Sequence, residues 1–169
     1  MTKYAYIGLG SNLGDRLNNI RGALDKISKR SDVYISSVSS IYETIPVGGP
    51  KQGLFLNGCA MLITTLSPTI LLKVLLQIED KMGRVRKERW GPRIIDIDLL
   101  VYEGIEMNTP LVSLPHPRIA ERAFVVIPLN DIAPELKIPG LEKSVSSIAK
   151  GFNQEKGIKL LIPKGWYTI

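Results

Sequence analysis

The sequence predicts an α+β fold whose first hundred residues run β-α-β-β-α-β. Three observations carry this. Two stretches, 15–30 and 69–82, place apolar residues at helical spacing. They alternate with runs rich in aromatic and β-branched residues, and glycines and prolines punctuate the joins. An apolar run at 94–102 then follows the second helix and closes the order. That order is the split βαβ arrangement of ferredoxin-like folds.

The first strand is KYAYIGLGS, residues 3–11, ending among glycines. The helix that follows runs from Asp15, its N-cap, to Arg30, with Leu17, Ile20, Leu24 and Ile27 on one face. Val33 to Val47 and Phe55 to Leu66 read as two β runs joined by the loop GGPKQG. Ser67-Pro68 starts a second helix over Thr69 to Met82, and Gly83 stops it. A basic loop leads into a strand from Ile94 to Tyr102. The last third predicts C-terminal helical and strand additions: a short helical turn around Ile119 to Phe124, a helix near Ser144 to Phe152, and an edge strand at IKLLIP. Residues 1–169 read as a single domain.

At 169 residues, with 44% hydrophobic and 22% charged residues, the composition is that of an ordinary globular chain. No run of about 18 apolar residues predicts a membrane span. The lone Cys59 excludes an internal disulfide and fits a reducing, cytoplasmic setting. Of the net charge of +6, four positive charges fall within residues 84–93. Charge so concentrated suggests a site for a polyanion rather than a basic coat.

Within RVRKERWGPRIIDID, Arg84, Arg86, Lys87, Arg89 and Arg93 precede Asp96 and Asp98. Alternate strand residues share a face, so the two carboxylates project together while Ile95, Ile97 and Leu99 face the core. Carboxylates that close repel unless a cation lies between them. Hard oxygen ligands favour magnesium, which takes its other ligands from water and phosphates. Arginine forks suit phosphate oxygens. Gly83 and Gly91 bracket the basic stretch, as they would a lid that orders on a ligand, and Trp90 either closes over the site or packs. Paired acids on a solvated sheet and an exposed basic turn are the ordinary alternatives.

Gly8, Gly10 and Gly14 follow a strand and precede a helix, but Leu13 stands where a dinucleotide fingerprint needs glycine. The expected role of Gly8 and Gly10 is a tight turn and close approach of a neighbour, with Asn12 hydrogen-bonding locally. His116, the only histidine, is flanked by Pro115 and Pro117 beside Arg118 and Arg122. It either contacts a phosphate or base or is structural. Phe55, Asn57, Phe124 and Glu79 are equally compatible with core, turn or helix-surface positions.

RWGPRIIDIDLL, Arg89 to Leu100, resembles the signature of the 6-hydroxymethyl-7,8-dihydropterin pyrophosphokinases. YIGLGSNLGDR, SSIYETIPVGG, FLNG, QIEDKMGRVRKERWGPR, LPHPRI and FVVIPLNDIAPEL extend the likeness along the chain. The resemblance implies a monomeric ferredoxin-like enzyme that transfers pyrophosphate from ATP to the pterin hydroxymethyl group, leaving AMP. It implies two magnesium ions held by Asp96 and Asp98, with Arg84, Arg86, Arg89, Trp90 and Arg93 joining those aspartates in catalysis. Glu79, Arg84, Lys87, Arg93, Leu99, Ser113, His116 and Arg122 fall at ATP-binding positions. Thr44, Val47, Phe55, Asn57, Asp96 and Phe124 fall at pterin-binding positions, the two phenylalanines sandwiching the ring. Pro117 and Leu111 depart from the commonest bacterial pattern, and the basic loop is one residue shorter.

The expected partners are therefore ATP and 6-hydroxymethyl-7,8-dihydropterin, with neither nucleic acid nor membrane. An RNA-binding ferredoxin-like module and an NAD(P)-binding domain are the competing readings. The first lacks interleaved stacking aromatics, and the second lacks the glycine fingerprint.

Overall fold

The computed structural model describes residues 1–85 and 90–169. The chain runs β1 (Lys3–Ser11), α1 (Arg16–Ser28), β2 (Val33–Val38), β3 (Ile41–Thr44), β4 (Phe55–Thr64), α2 (Pro68–Lys81) and β5 (Asp96–Tyr102). The short strands β6 (Met107–Asn108) and β7 (Ser113–Leu114) follow, then a 3-10 turn at Ile119–Glu121 and α3 (Ala123–Ile132). β8 (Lys137–Ile138), β9 (Lys143–Ser144), α4 (Val145–Lys150) and β10 (Ile158–Ile162) complete it.

The main sheet has the order β10-β3-β4-β1-β5, with β2 also pairing β4. Taking β2 and β3 as one interrupted strand, this is the ferredoxin-like order, with β10 added at one edge. Local chemistry sets the helix starts. Asp15 accepts the Asn18 N–H at the start of α1, and Ser67 accepts the Ile70 N–H at the start of α2. Beyond α2, Gly83 takes φ +84°, a turn glycine makes without strain. The helical face read from the sequence is the buried one, since Ile20, Leu24 and Ile27 lie in the core.

Two elements differ from the reading of the sequence. The run Val33 to Val47 is not one strand. β2 pairs residues 60–64 of β4 and β3 pairs residues 55–57, with a break at Ser39-Ser40. There the Ser39 N–H donates to the Cys59 carbonyl at 2.9 Å, and the Cys59 N–H donates to Ser39 Oγ at 2.8 Å. A hydroxyl thus replaces a ladder carbonyl. The second correction is α3. The expected short turn is present at Ile119–Glu121, but beyond it ten residues form a helix that was not expected, with Pro128 inside it. Ala123, Val125, Val126, Pro128 and Leu129 are all buried. A helix apolar on most sides shows no amphipathic stripe, and its proline reads as a breaker.

One face of the sheet packs Ile7, Leu9, Ile95 and Ile97 against Ile20, Leu24, Leu71 and Leu75 of α1 and α2. The other face packs Tyr6, Cys59 and Leu100 against Val125 and Leu129 of α3 and parts of α4. The positions between them on this second face, toward the start of β5, hold the charged residues.

Candidate active site

Register brings the site together. Asn57 of β4 pairs Gly10 of β1, and Gly10 pairs Asp96 of β5. One step of two residues away, Cys59 pairs Gly8, and Gly8 pairs Asp98. Cross-strand partners share a face, so Asn57, Asp96 and Asp98 point to the same side, with two glycines between them. Glycine 10 is needed there: a Cβ would lie 2.8 Å from Asn57 Oδ1. Around Gly8 the nearest neighbour would be Leu100, at an ordinary 3.6 Å. Close approach therefore explains Gly10 and not Gly8.

Arginines surround the acid pair. Arg84 Nη1 lies 2.7 Å from Asp96 Oδ1 and also ion-pairs with Glu79 Oε2. Arg93 Nη1 lies 2.9 Å from Asp96 Oδ2, and Arg122 Nη1 lies 3.6 Å from Asp98 Oδ2. Glu79 is 1% exposed, and its Oε1 accepts the Ile97 N–H at 2.6 Å. Burial pushes its carboxyl above the usual range, and the Ile97 N–H and Arg84 draw it back. Burial, then the Asp96 charge, push Asp98 up to about 7 against the opposing pull of Arg122. Among the described residues no three His, Cys, Asp or Glu side chains gather around a metal position. The donor set is two hard carboxylates held on a strand, one of them short of positive charge. This fits magnesium, which completes its shell with water and phosphate.

Beside the acids, Asn57 Nδ2 donates to Thr44 Oγ1 at 2.6 Å, and both residues are buried. Phe55 pairs Thr44 across the ladder and lies under the Arg93 guanidinium, 5.9 Å from its ring centre. Phe124, at the start of α3, lies under the Arg122 guanidinium at 5.7 Å. Each expected pterin aromatic thus carries an arginine that also reaches an aspartate. Val47 is 71% exposed in the loop after β3.

His116 donates its N–H to the Leu100 carbonyl at 2.7 Å, and its Nδ1 accepts the Arg118 N–H at 3.2 Å. Burial, with Arg122 and Arg118 nearby, lowers its imidazole to about 4. Ser113 sits in β7 opposite Asn108. Leu99 packs its side chain into the core at 5% exposure, so its main chain is the part that faces the site. Arg86, Lys87 and Arg89 lie outside the described residues.

Three residues not singled out for the site also enter it. Asn12 Oδ1 accepts the Arg93 N–H at 2.8 Å, and its Nδ2 donates to Gln52 Oε1 at 2.9 Å. Gln52 Nε2 donates to the Trp90 carbonyl at 2.8 Å. The Arg118 guanidinium lies 5.9 Å from the centre of the Trp90 ring. Asn12 was expected to hydrogen-bond locally, but its side-chain partners Gln52, Gly53 and Arg93 come from distant segments that the fold brings to the end of β1. Gln52 and Arg118 had no signal, because their partners are distant in sequence.

A sheet of this order with a carboxylate pair among arginines suits enzymes that act on phosphates, and comparison with known proteins narrows the class to pyrophosphokinases. Residues 6–134 match the model of the 7,8-dihydro-6-hydroxymethylpterin-pyrophosphokinase (HPPK) family. A 2-amino-4-hydroxy-6-hydroxymethyldihydropteridine pyrophosphokinase of Methylorubrum extorquens is 46% identical over 80% of this chain and 86% of its own. The protein of that name from Bacillus subtilis is 43% identical over 81% and 82%, and that from Haemophilus influenzae 38% over 92% and 97%. The chain belongs to the HPPK family. A crystal structure of wild-type Plasmodium falciparum HPPK-DHPS superposes with a TM-score of 0.66 at 16% identity, over 90% of this chain and 43% of that one. This second likeness is one of fold, and the chain spans under half of that protein.

Proposed function

We propose that Asp96, Asp98 and the arginines around them carry out the family reaction. In it, pyrophosphate passes from ATP to the hydroxymethyl group of 6-hydroxymethyl-7,8-dihydropterin, giving AMP and the pterin diphosphate in folate biosynthesis. The observation that carries the assignment is the alignment of Asn57, Gly10 and Asp96 across three strands. It sets the Asn57 side-chain amide, a hydrogen-bonding group, beside a carboxylate pair, which supports the reading.

Asp96 and Asp98 would hold magnesium, two ions in our reading. When bound, magnesium neutralises phosphate charge and acidifies the attacking hydroxyl. Arg84, Arg93 and Arg122 pair with the aspartates. With the carboxylates holding magnesium, these guanidinium groups would be available to phosphate oxygens. Arg86, Lys87 and Arg89 add charge from the loop. Phe55 and Phe124 stack the pterin, and Asn57, held by Thr44, reads its edge with main-chain help near Val47. Glu79, Ser113, His116 and the Leu99 main chain line the nucleotide side. The substrate hydroxyl attacks the β-phosphorus in line, and positioning with electrostatics does the work of a dedicated base. Trp90 excludes water that would otherwise hydrolyse ATP.

No helix among the described residues is long and apolar enough to cross a membrane. We read residues 1–169 as one domain that works as a cytoplasmic monomer.

The test is AMP formation that depends on the hydroxymethyl pterin. Asp98→Ala should abolish it while circular dichroism and melting stay native. A near-normal rate in that variant would remove the metal assignment. Salt-dependent RNA binding without a requirement for magnesium-ATP would favour the RNA-binding reading instead.

A further inference from the structure

On the reading that Thr44, Phe55 and Asn57 form the pterin side, we propose that Arg16 is a positioning residue for it. Its guanidinium fixes the end of β3 and the entry to β4 from the opposite face of the sheet, and so sets where Phe55 and Asn57 stand.

Arg16 is the first residue of α1, a position at which a cation opposes the helix dipole. Its side chain reaches away from the helix. Nη1 donates to the Leu54 carbonyl at 2.9 Å, and Nη2 lies 2.9 Å from Glu43 Oε2. Both charged side chains are partly buried, at 29% and 25% exposure, so solvent and salt screen the pair less than an open surface pair.

Leu54 stands where the sheet ends. β4 pairs β3 as far as Thr44↔Phe55 and pairs β1 as far as Ser11↔Leu56, so Leu54 lies past the last pair on either side. Ile45, which the register would put opposite it, instead donates its N–H to the Gly157 carbonyl at 2.9 Å. The Arg16 guanidinium supplies a donor at the point where the ladder stops.

Cross-strand partners share a face. Glu43 pairs Leu56, which lies in the core against α1 and α2. Thr44 pairs Phe55, and Phe55 and Asn57 are two residues apart, so these three point the other way. Arg16 therefore touches none of the three. It holds both strands from behind, through the Glu43 side chain next to Thr44 and through the Leu54 carbonyl next to Phe55. The hydrogen bond from Asn57 to Thr44, 2.6 Å long, spans the same two strands, so its geometry follows their spacing.

The experiment measures steady-state KM for 6-hydroxymethyl-7,8-dihydropterin and for magnesium-ATP. Arg16→Ala should raise the pterin KM about three- to tenfold and leave the ATP KM within about twofold of wild type. Arg16→Lys, a point charge in place of a fork, should recover part of the loss. Glu43→Gln keeps the bond to Leu54 and should raise the pterin KM less than Arg16→Ala does. Arg30→Ala is the stability control. It breaks a similar pair, Arg30 Nη2 with Asp32 Oδ2 at 2.6 Å, beyond the other end of α1, and should leave both KM values unchanged. A general loss of folded protein lowers the apparent kcat and neither KM. An unchanged pterin KM in Arg16→Ala, or an equal rise in both KM values, overturns the proposal. Amide hydrogen exchange needs no ligand. Arg16→Ala should quicken it at residues 43–45 and 55–57 and leave residues 60–64 native, and an unchanged pattern overturns the positioning. A wild-type chain without pterin-dependent AMP formation defeats the proposed function, and the exchange arm then decides the positioning by itself.

Discussion

Glu79 Oε1 accepts the main-chain N–H of Ile97 at 2.6 Å, and Ile97 is the residue between Asp96 and Asp98. A buried carboxylate on α2 therefore fixes the strand that presents both acids. Its other oxygen meets Arg84, which also holds Asp96. Removing the carboxylate leaves a buried N–H unpaired and one arginine with less compensating charge.

Glu79→Ala should accordingly cost about 3 kcal/mol of folding stability. Glu79→Gln retains an oxygen for the Ile97 N–H and should cost about 1 kcal/mol. Urea unfolding of the two variants checks this. Equal losses would mean that the charge, not the hydrogen bond to Ile97, is what the fold requires.

Asp98 gives the site a pH dependence with a definite sign. Its folded-state pKa is raised from the ordinary 3.8 to about 7, so the folded chain binds this proton more tightly than the unfolded chain. The stability it contributes is present at low pH and is lost as pH rises through about 7. Metal ligation runs the other way, because a carboxylate must lose its proton to bind. Affinity for magnesium-ATP analogue should rise about tenfold per pH unit below 7 and level off above it, as release of one proton requires. Calorimetry across pH 5.5 to about 8 reads the curve, and Asp98→Asn should flatten it.

The pairing of acids at 96 and 98 is legible in the sequence because a strand repeats every two residues and the neighbours are apolar. The alignment that gives the pair its meaning is not. Asn57, Gly10 and Asp96 come from three strands, and register is a tertiary property. The same holds for Gln52 and Arg118, which meet Trp90 from segments 38 and 28 residues away in the chain. Local rules fail for a further reason in α3, where burial on most sides hides helical periodicity and Pro128 argues against a helix. Capping residues Asp15 and Ser67 were readable because a cap is a local hydrogen bond.

Gly10 provides a direct probe of the pterin side. A methyl group there would stand 2.8 Å from Asn57 Oδ1 and 3.6 Å from Phe55 Cδ1. Gly10→Ala should displace the asparagine and weaken pterin binding about tenfold, the effect of one lost hydrogen bond. Asn57→Ala should weaken it by a similar factor. The double variant should be little worse than either alone, since both remove the same contact. Additive losses would show that Gly10 acts on the pterin through something other than Asn57.

His116 is the only histidine, so one resonance pair follows it through a titration. Burial lowers its imidazole to about 4, helped by Arg122 and Arg118 and opposed by Asp96. Folding thus weakens proton binding, and the associated stability is present above the unfolded value and falls as pH drops from about 6.5 towards 4. At neutral pH the ring is uncharged. Because Nδ1 accepts the Arg118 N–H, the proton sits on Nε2, where it is available to a ligand. NMR should show a midpoint near 4 in the free chain, and any inflection in activity near pH 6.5 should survive His116→Gln. A triphosphate beside the ring adds negative charge and should move the midpoint upward. A midpoint near 6.5 that nucleotide leaves unmoved would place His116 away from the phosphates and in open solvent.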